Sequence, residues 1–116
     1  MAFDERLAQR VREALGRKPG ITEKRMFGGL CFLVNGNMCC GIEREKLMVR
    51  VGPEHYAAAL MKPHARPMDF TGRPLRGFVF VMPQGVRDQR TLTRWVDLGL
   101  RHATSLPAKR KPAGVK

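Results

Sequence analysis

The chain has 116 residues, 43% of them hydrophobic, with 22 Lys and Arg against 10 Asp and Glu and a formal net charge of +12. That length fits one domain able to bury a core without metal or disulfide staples, and no apolar run approaches the ~20 residues of a bilayer span. The cysteines Cys31, Cys39 and Cys40 are odd in number and spaced for neither a disulfide framework nor a zinc finger. Residues 1–10 carry both charge signs and no apolar core segment, so no secretory signal is read there and the expected compartment is the cytoplasm.

Residues 4–15 read as an amphipathic helix. Phe3, Leu7, Val11 and Leu15 recur every four residues, with Asp4 placed as N-cap and Gly16 as stop. Pro19-Gly20 is a turn. Residues 22–27 read as a short strand, and Gly28-Gly29 as a bulge or bend. Residues 30–34 and 37–42 are the arms of a hairpin, because Asn35-Gly36 supplies the two positive φ angles of a type I′ turn. Counting outward from that turn sets Val34 opposite Asn37, Leu33 opposite Met38, Phe32 opposite Cys39 and Cys31 opposite Cys40.

Glu43-Arg44-Glu45 is a polar turn into a strand at 46–51, where Leu47, Val49 and Val51 alternate with Lys46, Met48 and Arg50 in a half-buried pattern. Gly52-Pro53-Glu54 opens a short helix to about Met61, with proline in the first turn, and Lys62-Pro63 ends it. Residues 66–70 read as an edge strand, since Pro67 cannot donate to a ladder. A turn at 71–74 leads to a strand at 76–82 with Phe78, Phe80 and Met82 on one face and Val79 and Val81 on the other. Pro83-Gln84-Gly85 reads as a loop. Asp88 is placed as N-cap of a last helix to about Ala103, with Leu92, Trp95, Val96, Leu98, Gly99 and Leu100 as its apolar stripe. The domain is thus residues 1–104, and residues 105–116 read as a basic, disordered tail.

Helix, three or four antiparallel strands, helix, two strands, helix implies an α+β sandwich with the helices mainly on one sheet face. The other face is expected to be solvated or to meet a partner, and the chain to be a monomer or a homodimer paired through that face.

The chemistry-bearing residues are few. Cys31 and Cys40, set opposite each other, are candidates for a reducible disulfide or a metal-binding thiol pair, against the commoner role of free cysteine as a small buried hydrophobe. His55, His64 and His102 fall on separate elements without zinc spacing. Gly28-Gly29 belongs to no phosphate-loop motif, and a bulge or close packing beneath the first helix accounts for it. The only serine, Ser105, lies in the tail, and no G-x-S-x-G or paired carboxylates stand out. No enzyme activity and no cofactor are expected. Arg87, Arg90, Arg94 and Arg101 recur near helical spacing, and with Arg73, Arg76 and the tail they would form a basic surface for phosphates; the alternative is a solvated helix face. The contact candidates are Arg87, Arg90, Arg94, Lys109, Arg110 and Lys111, all as charge donors. Nucleic-acid contact through them would be electrostatic and steeply salt-dependent.

Arg25-Met26-Phe27-Gly28-Gly29, the apolar run 30–34, Gly36, Met38 and Leu47-Met48-Val49-Arg50-Val51 together resemble the opening of the TfoX/Sxy N-terminal domain family. Met68-Asp69-Phe70 and residues 92–103 resemble its later aromatic segment and final helix, so the resemblance spans about 4–104. It implies the secretion-chaperone-like α+β architecture also seen in YjbR-like proteins. The name-giving members are competence regulators that act with a transcription activator. The resemblance therefore implies a non-enzymatic regulatory or binding module with a protein partner, a transcription regulator among the candidates, and carries no catalytic residues over. An electrostatic nucleic-acid-binding accessory protein is the alternative; an enzyme or thiol site at Cys31 and Cys40 is the third reading.

Overall fold

The computed structural model describes residues 3–26, 28–69 and 74–108. Phe27, Phe70, residues 71–73 of the expected 71–74 turn and Lys109, Arg110 and Lys111 of the expected tail lie outside the described residues. Helix α1 (Glu5–Leu15) starts where its orphan N–H groups find an acceptor. Asp4 Oδ1 accepts from the amides of Arg6 (2.9 Å) and Leu7 (3.2 Å), and Gly16 ends the helix with φ 71°.

Then come β1 (Ile21–Met26), β2 (Gly29–Val34), β3 (Asn37–Glu43), β4 (Lys46–Arg50), α2 (Tyr56–Leu60), β5 (Ala65–Asp69), β6 (Pro74–Val81), a 3₁₀ turn (Pro83–Val86) and α3 (Gln89–Ser105). The strands form one antiparallel sheet of order β1-β2-β3-β4-β6-β5. The fold is the expected α+β arrangement, and Pro67 lies on an edge strand, where its missing N–H costs no ladder bond. Several local expectations change: β6 already begins at Pro74, read as a turn residue, and α3 runs on through Ser105, read as tail. Helix α2 starts only at Tyr56, so Pro53 sits in the turn before it; residues 83–86 wind into a 3₁₀ turn rather than a loop.

All three helices cover one sheet face. Leu7, Val11 and Leu15 of α1, Ala59 of α2 and Leu92 and Val96 of α3 share a core with Leu30, Phe32, Ile42, Leu47, Val49, Val79 and Val81. The opposite face, expected to be solvated or to meet a partner, buries its centre with the chain's own side chains. Cys31, Met48, Met68 and Phe80 form a second buried cluster there, and Met48, grouped by the alternation with Lys46 and Arg50, is fully buried. Flexible methionines fill irregular gaps. Lys46 and Arg50 lie over the Phe80 and Phe78 rings at 4.5 and 5.6 Å, covering apolar surface while their charges stay outside.

The hairpin turn has positive φ at Asn35 (53°) and Gly36 (83°), and Val34 and Leu33 pair with Asn37 and Met38 as counted. Beyond that the register slips: Phe32 pairs with Cys40, and Cys31 with Gly41. Cys39 is the extra residue of a β-bulge, which keeps both Cys39 and Cys40 in the helix-side core while Cys31 joins the opposite cluster. The expected Cys31–Cys40 pair is thus overturned; the two thiols lie on different faces, and all three cysteines are free and buried. Burial pushes the Cys31 thiol up to about 11, and Cys40 is held well above the ordinary range by its hydrogen bond with Cys39 and by burial.

Of the Gly28-Gly29 pair, Gly29 packs closely against β3, while Gly28 faces open space. Gly28 (φ 74°) turns the chain, and a Cβ on Gly29 would collide with the Ile42 carbonyl oxygen. At the far end, the buried Asn37 donates through Nδ2 to the Pro107 carbonyl at 2.9 Å. No helix among the described residues is long and apolar enough to cross a membrane.

Candidate functional site

Helix α3 has two working faces. Leu92, Val96, Gly99 and Ala103, three or four residues apart, face the sheet. Thr91, Arg94, Trp95, Leu98 and Arg101 form another stripe at helical spacing, and this stripe is one wall of a groove of about 670 Å³. The turn Lys62-Pro63-His64 lines it as well, and Gln84, Gly85, Arg87 and Asp88 line it near the start of α3. The volume falls within the ~300–1,000 Å³ of ligand sites.

These segments are far apart in sequence, and specific bonds assemble them. The β5–β6 pairing carries the 62–64 turn towards the 3₁₀ turn, where the Met82 amide donates to the His64 carbonyl at 2.9 Å. His64 takes a left-handed conformation (φ 67°), and its Cβ packs on Gly85, where a second Cβ would lie only 2.8 Å away. Asp88 starts α3 by accepting from the Thr91 amide and hydroxyl, both at 3.3 Å. Arg10 of α1 clamps this end. Its Nη2 donates to the carbonyls of Val86 (2.6 Å) and Arg87 (3.2 Å), and its Nε to Gln89 Oε1 (3.0 Å).

Trp95 is only 4% exposed and belongs to the helix-side core while lining the groove, with the half-buried Leu98 beside it. Around this apolar base stand Lys62, Arg87, Arg94 and Arg101, against Asp88 and Asp97. Among the described residues the ion pairs are Arg12–Glu23 and Lys46–Glu43, so none of the groove's cations is engaged in one. The site is an apolar trough edged by free cationic donors, suited to a ligand with an apolar face and negative charges.

Of the contact candidates read from sequence, Arg87 and Arg94 are brought together in the groove. Arg90 is exposed on the same helix without lining it, and Lys109, Arg110 and Lys111 lie outside the described residues. Arg101 joins them, as do Lys62, His64, Trp95 and Leu98, which were not singled out for contact. The available signal was the seven-residue spacing of Arg87, Arg94 and Arg101. Elsewhere, the His102 ring packs against Gly52, and its pKa is lowered by burial and by Arg50. No three His, Cys, Asp or Glu converge as metal ligands among the described residues.

Residues 13–103 match the family model described as the TfoX N-terminal domain, a span that includes every segment lining the groove. No curated protein and no solved structure matches the chain.

Proposed function

The chain belongs to the TfoX N-terminal domain family, and from that premise we propose that it is a non-enzymatic regulatory module, transcription-associated and cytoplasmic, that docks a protein partner in the groove along α3. The observation that carries this reading is the set of cations around an apolar base that make no ion pair among the described residues. Guanidinium groups offer only donors and keep their charge, so they hold an anionic partner rather than exchange protons with it. Three free, buried thiols suit a reducing compartment.

The +12 net charge favours a second reading, electrostatic binding of nucleic acid. The apolar part of the groove around Leu98 favours a protein surface over a phosphate backbone seated there. An affinity pull-down with and without nuclease, at low and moderate salt, decides between them when run beside the Arg94→Glu/Arg101→Glu variant. The expected result is a specific protein partner that survives nuclease and is lost with the variant. Recovery abolished by nuclease, or unchanged in the variant, overturns the reading.

A further inference from the structure

We propose that the segment held in this groove is an amphipathic, acidic α-helix of the partner, lying along α3. The inference rests on the groove being the docking site, and goes further by naming the shape and charge of what enters it.

The spacing of the cations selects a helix. Arg94 and Arg101 lie two turns apart on one face of α3, which separates their Cα atoms by about 10.5 Å along its axis. A partner helix repeats the same distance between its own residues i and i+7, so two acidic side chains seven apart meet both arginines from one face. An extended peptide does not match. Its same-face side chains recur at about 6.7 and 13.4 Å, and the residue nearest 10.5 Å points the other way.

The base of the groove asks for the rest of the partner's surface. Between the two arginines lie Trp95 and Leu98, a mostly buried ring and an aliphatic side chain one turn apart, and Asp97, which disfavours an acidic side chain midway between them. An apolar stripe at i, i+3 and i+4 on the incoming helix covers Trp95 and Leu98, and the acidic positions flank that stripe. Duplex nucleic acid offers the charge without the apolar stripe.

Trp95 is the only tryptophan in the chain, so its fluorescence reports occupancy of the groove. The probe is a synthetic peptide of about 18 residues, about 27 Å as a helix. It carries a leucine stripe flanked by glutamates at seven-residue spacing. One control replaces its glutamates by lysines, a second places a proline at mid-helix, and a third is duplex DNA of similar length. The glutamate peptide is expected to change Trp95 emission saturably. Arg94→Glu/Arg101→Glu weakens it by roughly tenfold or more. The lysine peptide binds that variant roughly tenfold better than it binds the parent chain, a rescue that also shows the variant is folded. Equal binding of the proline-broken peptide overturns the helical occupant while leaving the docking site standing. So does the absence of a saturable change up to about 1 mM glutamate peptide when the pull-down partner is still lost with the charge reversal. Duplex DNA that outcompetes the peptide, with no dependence on Trp95 or on the charge swap, overturns the inference in favour of nucleic acid.

Discussion

The carbonyl oxygen of Cys39 occupies the space that a Cβ on Gly99 would need. Cys39 is the bulged residue of β3, and its Sγ donates to the Val96 carbonyl at 3.9 Å, one turn earlier on α3. The bulge is therefore the seat of α3, and α3 carries one wall of the groove.

Gly99→Ala sets two effects against each other. Helix propensity favours alanine by up to ~1 kcal/mol, while forcing a methyl onto the Cys39 carbonyl costs ~1–3 kcal/mol. Because the obstacle is backbone, the collision wins. Urea denaturation is expected to show net destabilisation; an alanine variant more stable than the parent would refute the close seat.

Local chemistry made much of the fold legible. Asp4 and Asp88 announced their helices because an N-cap needs only its own side chain and the next three amides. Asn35-Gly36 announced its turn because the φ demand lies within those two residues. Pro67 announced an edge because it lacks a donor. The bulge at Cys39 was not legible, since what it packs against, Gly99, lies sixty residues on in the chain. Counting pairs outward from a good turn assumes a regular ladder, and one extra residue undid the Cys31–Cys40 pairing. The groove was half legible. Arg87, Arg94 and Arg101 share a spacing, but only the β5–β6 pairing brings Lys62 and His64 near them, and nothing local says that Arg90 points elsewhere.

Asn37 is 2% exposed and spends its amide on the Pro107 carbonyl. Deleting residues 107–116 removes that acceptor, whereas deleting 109–116 keeps it. The shorter chain is expected to be less stable than the longer by ~1–3 kcal/mol, the cost of a buried polar group left unpaired. Equal urea midpoints would show that the bond contributes nothing.

Cys31 makes stability fall at alkaline pH. Its folded thiol titrates at about 11 because it is buried, while an unfolded thiol titrates near ~8.5. Between those values the unfolded chain releases a proton that the folded chain keeps, so unfolding is increasingly favoured as pH rises. Cys40, also raised, acts in the same direction. Urea midpoints from about pH 8 to 10.5 should fall, and Cys31→Ala should flatten the slope; an unchanged slope would contradict this origin.

Arg10 holds the start of α3 from outside the groove, through the carbonyls of Val86 and Arg87 and the side chain of Gln89. Arg10→Met is expected to lower stability by only ~1 kcal/mol, since these bonds are largely exposed. It should also weaken the acidic peptide measurably, because Arg87 and Asp88 lose their fixed position. Unaltered peptide affinity in a Trp95 titration would separate the clamp from the groove.

Where a partner touches the molecule is the most direct test of the groove as a docking site. Titrating the isotope-labelled chain with the acidic helical peptide, and following backbone amides and the Trp95 indole by NMR, locates that contact. Shift changes are predicted at Lys62 and His64, at Gln84, Gly85 and Arg87, and along Thr91, Arg94, Trp95, Leu98 and Arg101. Changes centred instead on Cys31, Met48 and Phe80 of the opposite sheet face would contradict the assignment of the groove as the docking site.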